Sequence, residues 1–214
     1  DAAASARSIA TKLGNDPVKL EAAALHGWQN GADQEALLLI VKGAAAGGDG
    51  LVLTNAGGML DIYGLPEKAI PVLRTVVSYA PKNVIALNNL GQAYTALGMR
   101  DSAMIYLRRC ISLSSQHPEA NNTAGHIELK KGNKSAAQAY FENSIRGSFN
   151  LSAYTGLATI FNNDKSKLKI AQLIKPKVKK PEYFNQFKFK LPRQCLNVGE
   201  AATVSEEFKI YKQM

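Results

Sequence analysis

Small and apolar residues recur along this chain at one fixed interval. Gly57, Gly91 and Gly125 stand 34 residues apart, and so do Gly64, Gly98 and Gly132, then Ala69, Ala103 and Ala137, then Leu73, Leu107 and Phe141. Four independent columns sharing one period mark internal repetition, with units at 50–83, 84–117 and 118–151. In the middle unit Gly98 is expected to end a first helix, since glycine adopts the left-handed conformation that closes a helix C-terminus. Asp101 follows as the candidate N-cap of a second helix, and the turn between them is short enough to make the two helices antiparallel. Weaker copies flank the clear ones. Residues 17–49 fit through Leu20, Ala23, Gly31, Ala36 and Ile40 once one residue is deleted, and 152–175 fit through Tyr154, Leu157, Phe161, Ile170 and Ile174. Repeat stacks need such degenerate copies to close their ends. Before them, Asp1 to Gly14 reads as a leading helix with Ile9 and Leu13 on its buried face.

The helical pattern stops after Lys175, where Pro176, Pro181 and Pro192 come too close together for a helix to survive. Phe187, Phe189 and Leu191 alternate with Lys188 and Lys190, the period of a short extended stretch. A final helix is expected from Glu200 to Gln213, with Val204, Phe208 and Tyr211 on one stripe.

Period and residue types together resemble the tetratricopeptide repeat, a helix, a tight turn and a second helix. In the middle unit Leu87, Leu90, Gly91 and Tyr94 fall on the first-helix positions of that motif, and Ala103, Leu107 and Cys110 on the second; Pro81 closes the preceding unit at the motif's terminal proline. The resemblance covers residues 50 to 151. It implies an all-α fold, a right-handed superhelix (α-solenoid) of stacked hairpins over 1–175, with the irregular, partly extended segment 176–214 packed on it or leading to a further domain. In such hairpins a close helix crossing at Gly91 and Ala103 must stay free of bulk, while Tyr94 and Leu107 fill the space beside it. A further resemblance, carried by Ala69 to Leu73, Leu87 to Ala93 and Lys188 to Pro192, is to the repeat region of a group of exported bacterial proteins with no established activity.

Repeats of this family usually bind an extended peptide or partner helix in a concave groove lined by first helices. The inward positions of the family carry over to Thr54 and Asp61, then Asn88, Gln92 and Thr95, then Asn122 and His126. That lining is polar and nearly uncharged. Asn88 and Asn89 could fix a peptide backbone, each amide offering donor and acceptor; alternatively Asn89 caps or bridges neighbouring helices. Chaperone-binding members clamp a terminal carboxylate with Lys and Asn where this chain has Asn88 and Gln92, and the departure argues for another ligand. The expected function is a protein–protein interaction scaffold or adaptor with a protein or peptide partner.

Composition adds one competing reading. Hydrophobic residues make up 46% and charged residues 20% of the 214, the balance of a folded domain. Charge is uneven. Ten basic residues lie between Lys165 and Arg193 against Glu182 alone, so this stretch carries the whole formal excess of +9. Lys175, Lys177, Lys179 and Lys180 form its densest patch. Charge runs are usually solvated linkers; the alternatives are nucleic acid or an acidic surface.

Other chemistry has no visible seat. No apolar run reaches the length of a membrane span; the longest, Ala36 to Val41, stops at Lys42. Cys110 and Cys195 are too few for a disulfide framework, and Cys110 reads as a small core residue. His26, His117 and His126 show no metal-binding or triad spacing. Gly43 to Gly50 lacks the ending of a phosphate-binding loop and reads as a flexible loop between repeats. The expectation is therefore no enzyme, no cofactor and no metal. The chain opens at Asp1 without an initiator Met. Removal of an export signal, with residence in the periplasm or cell envelope, is one expectation from that start, and a cytoplasmic protein is the other.

Overall fold

Ten helices follow one another in a computed structural model that describes residues 1–162 together with Lys167 and Leu168. They are α1 (Ala2–Lys12), α2 (Pro17–Gln29), α3 (Asp33–Ala45), α4 (Gly50–Ile62), α5 (Pro66–Tyr79), α6 (Val84–Ala96), α7 (Arg100–Leu113), α8 (Pro118–Lys130), α9 (Lys134–Gly147) and α10 (Leu151–Ile160). Among the described residues there is no strand. The chain divides into two units, Asp1–Lys175 and Pro176–Met214, and all ten helices belong to the first. Lys175, Lys177, Lys179 and Lys180, the stretch from Phe187 to Leu191, the helix expected over 200–213, and Ile170 and Ile174 lie outside the described residues.

The first unit is an all-α solenoid. Its most extensive contacts join α2 to α3, α4 to α5, α6 to α7 and α8 to α9, four helical hairpins in succession. The second helix of each hairpin also packs on the first helix of the next, and α10 continues that order against α9. The leading helix α1 packs on α3 and buries Ala6 and Ala10; Ile9 and Leu13 are only partly buried at the edge of the same cluster.

One turn geometry makes every hairpin. Gly98 has φ +73°, and its N–H donates to the Thr95 carbonyl at 2.9 Å while the N–H of Met99 donates to the Tyr94 carbonyl at 2.9 Å. This is the paired closure that satisfies the last carbonyls of a helix, and it recurs at Gly31, Gly64 and Gly132. It also corrects the expectation for Asp101. The residue after the glycine serves as the N-cap of the second helix, so α7 starts from Met99 with no side-chain cap, and Asp101 sits inside its first turn. Asp101 instead accepts from Lys131 Nζ at 2.8 Å, which holds its carboxyl below the ordinary range. First helices are capped by side chains throughout, by Asp16, Asp49, Asn83, His117 and Asn150.

Two columns of the sequence prove to be the two sides of one contact. A Cβ built on Gly91 would stand 2.6 Å from Leu107 Cδ2, and Gly57 meets Leu73 and Gly125 meets Phe141 in the same way. Ala103 contributes its carbonyl oxygen, 3.5 Å from that Cβ position, and is itself fully buried. Replacing Ala103 by leucine adds methylenes to filled space and is expected to cost about 1–3 kcal/mol. Ala96→Leu, on an exposed position of α6, is expected to cost under about 0.5 kcal/mol. Thermal melts of the two variants compare them directly, and equal midpoints would contradict this packing.

The glycine-rich stretch is also corrected. Helix α3 runs through Gly43 to Ala45 and α4 begins at Gly50, so the loop is shorter than the glycines suggest. Gly43 is buried, and a Cβ there would come 3.1 Å from the Pro17 carbonyl oxygen and 3.3 Å from Leu20 Cβ. Its role is close helix packing rather than flexibility.

Candidate binding wall of the first helices

The first helices form a continuous row. Helix α2 packs on α4, α4 on α6, α6 on α8 and α8 on α10, whereas no comparable packing joins α3 to α5, α5 to α7 or α7 to α9. In a stack of hairpins the row whose members touch lies on the inner side of the curve. On α6 one helical stripe carries Ile85, Asn88, Gln92 and Thr95, at the i, i+3, i+7, i+10 spacing. The same stripe holds Leu51, Thr54, Gly58 and Asp61 on α4, and Glu119, Asn122 and His126 on α8.

Polar groups of this wall are largely engaged with one another. Thr54 and Asn88 are buried. Thr54 Oγ1 donates to the Gly50 carbonyl and accepts from Asn83 Nδ2 at 3.4 Å. Asn88 Nδ2 donates to Asn89 Oδ1 at 3.2 Å, Gln92 Nε2 donates to Asn88 Oδ1 at 3.3 Å, and Thr123 Oγ1 donates to Gln92 Oε1 at 2.9 Å, tying α8 to α6. Thr95 Oγ1 donates back to the Gly91 carbonyl at 2.8 Å. One repeat earlier, Asn55 Nδ2 donates to the buried Glu21 carboxylate, tying α4 to α2. Asn89 lies over Gly58, its Nδ2 2.8 Å from where a Cβ would stand. These amides bridge neighbouring helices, as buried polar groups must when water is excluded.

Two acceptors and one imidazole complete the predicted set. Asp61 Oδ1 and Asn122 Oδ1 are enclosed and have no hydrogen-bond partner among the described residues, and burial pushes the Asp61 carboxyl above its ordinary range. His126 Nε2 and Ser152 Oγ are hydrogen-bonded at 2.8 Å, and the imidazole meets the Phe141 ring edge-on, with centroids 4.9 Å apart. Desolvation first, then the charge of Lys130, holds its pKa below the usual histidine value. The wall thus brings Asn88, Gln92 and Thr95 together on α6, with Thr54 and Asp61 on one side and Asn122 and His126 on the other.

Sequence reasoning missed the side chains this wall actually leaves open. Val18, Leu51 and Ile85 occupy the second position of α2, α4 and α6 and are 59%, 59% and 55% exposed. Their signal was available, because each stands three residues before Glu21, Thr54 or Asn88 and therefore on the same stripe. Cys110, by contrast, is buried, and desolvation followed by the charge of Glu119 pushes its thiol up to about 11, which keeps it unreactive. Among the described residues no group of three His, Cys, Asp or Glu could hold a metal ion, and no helix is long and apolar enough to cross a membrane.

A family model for the tetratricopeptide repeat matches residues 84–117 and 118–146, the hairpins α6–α7 and α8–α9. The chain therefore contains tetratricopeptide repeats over these four helices. Solved tetratricopeptide repeat structures share its fold. PilW, described as a widely conserved type IV pilus biogenesis factor, superposes with a TM-score of 0.64 at 16% identity, over 80% of this chain and 82% of its own. YrrB, described as having an unusual peptide-binding site, gives 0.57 at 20% identity over 67% and 75%. A MamA segment from Desulfovibrio magneticus RS-1 gives 0.53 at 18% identity over 78% and 87%. No curated protein matches the sequence. In these repeats the small glycines of the first helices meet the large apolar side chains of the second, Gly91 against Leu107 and Gly125 against Phe141.

Proposed function

We propose that this chain is a protein–protein interaction scaffold, not an enzyme, and that its partner docks on the wall formed by α2, α4, α6 and α8. The observation that carries the reading is the exposed row Val18, Leu51 and Ile85, set on a wall where Asn88, Asn89, Gln92 and Thr123 are already bonded to one another. Rigid neighbours around exposed apolar side chains are what a recognition surface requires, since little ordering then remains to oppose binding. A peptide-binding site described for YrrB supports the same use of this fold.

The reading is tested by placing a photo-crosslinking amino acid at Ile85, on the wall, and separately at Ile105, 59% exposed on α7. Irradiation of cells expressing the chain is expected to give a discrete adduct from position 85 and none from position 105. The same adducts from both positions, or adducts from 105 alone, would remove the wall from the account.

A further inference from the structure

We propose that the partner presents an α-helix with apolar side chains seven residues apart, followed one further heptad along by a basic residue; the inference rests on the binding reading above. Val18, Leu51 and Ile85 stand at the same place on three successive first helices, and Glu119 stands there on the fourth. Packed helix axes lie about 8–10 Å apart, so the row repeats at that interval. Residues i and i+7 of an α-helix are about 10.5 Å apart, which matches it. Same-face residues of a β-strand are about 6.6 Å apart, which does not.

A polyproline-type segment, with every third residue about 9.3 Å apart, would also match in spacing. Hydrogen bonding separates the two. An extended partner brings unpaired N–H and C=O groups at each residue, and the amide donors of Asn88 and Gln92 on this wall are committed to Asn89, Asn88 and the neighbouring first helix. A helix arrives with those bonds already closed, and asks of the wall only apolar contact.

Charge sets the direction. The Glu119 side chain is 62% exposed and lies 3.4 Å from His117 Nδ1. That same nitrogen accepts the N–H of Ala120 at 3.3 Å as the cap of α8. A ring nitrogen that accepts cannot also donate to the carboxylate, so the short separation is no ion pair while the cap is made. Glu119 is left to a cation of the partner at the end of the apolar row.

Purified protein titrated into fluorescein-labelled helical peptides tests this by anisotropy. One peptide carries three leucines seven residues apart and then a lysine seven residues on; a second has the same composition with the leucines five residues apart; a third ends in glutamate instead of lysine. The first is expected to bind at least about tenfold more tightly than either other, the gain of burying exposed leucine side chains and matching one charge. Leu51→Asp is expected to lower its affinity about tenfold or more, and Glu119→Lys to reverse the preference between the first and third peptides. Ile85→Gln, a milder change at an exposed position, repeats the first test should Leu51→Asp perturb folding. Equal binding of the first two peptides, no binding by the wild type, or unaltered binding by both wall variants would overturn the proposal. So would a wild-type dimer in sedimentation that Leu51→Asp returns to monomer, which would assign the row to a second copy. Failure here with a discrete adduct at position 85 overturns only the heptad rule, whereas loss of that adduct overturns the binding reading itself.

Discussion

Replacing Phe141 with alanine is expected to cost about 3–5 kcal/mol, the range for deleting a buried aromatic ring. The ring is fully buried in α9 and lies between two helices that both present glycine to it. On the α8 side a Cβ at Gly125 would stand 2.6 Å from it, and on the α10 side Gly156 lies against its far edge. The cost should fall at the upper end because glycines supply no side chain to collapse into the void. His126, edge-on to the ring and hydrogen-bonded to Ser152 of α10, would lose its support in the same step. Chemical denaturation measures the loss, and hydrogen exchange should show the amides of α10 opening before those of α4 and α6. A loss under about 1 kcal/mol, or exchange that rises evenly along the stack, would contradict this account.

Gly147→Ala is expected to destabilise by about 3 kcal/mol, although an ordinary helical glycine-to-alanine change gains about 0.5–1 kcal/mol. Gly147 is the last residue of α9, and a Cβ there would overlap the Gln116 carbonyl oxygen and come within 3.1 Å of Pro118 Cγ. The obstacle is backbone from the α7–α8 connection, so no rotamer change relieves it. The sign of the effect therefore separates the two contributions. Gly98→Ala makes the comparison, since a Cβ there meets nothing within 4 Å and only its φ of +73° opposes the change; about 1 kcal/mol is expected. Thermal melts in which Gly147→Ala is as stable as wild type would mean that the end of α9 yields freely.

Both expectations concern interfaces between hairpins, and that is where the written sequence and the folded chain part company. The period of 34 and the turn glycines are legible because each is a local rule repeated three times, whereas the sequence sets Gly91 against Ala103 and only the folded chain pairs Gly57 with Leu73, Gly91 with Leu107 and Gly125 with Phe141. Turn chemistry is likewise local, and Gly64, Gly98 and Gly132 all take the left-handed conformation expected of them. For the candidate residues of the wall the sequence offers positions alone: Thr54 and Asn88 are buried, and the hydrogen bonds of Thr54, Asn88 and Gln92 run to Asn83, Asn89 and Thr123.

The sequence by itself determined the helical hairpin, its length, its turn and the small residues that let its two helices meet. Only the tertiary structure decided which polar side chains the neighbouring repeat uses up, that Asp101 pairs with Lys131 instead of capping α7, and that Val18, Leu51 and Ile85 remain open. The reason is physical. A helix places its side chains by a fixed rotation per residue, which any window of sequence reveals. Whether a group on that face is exposed, buried or bonded depends on atoms about thirty residues away that packing brings beside it.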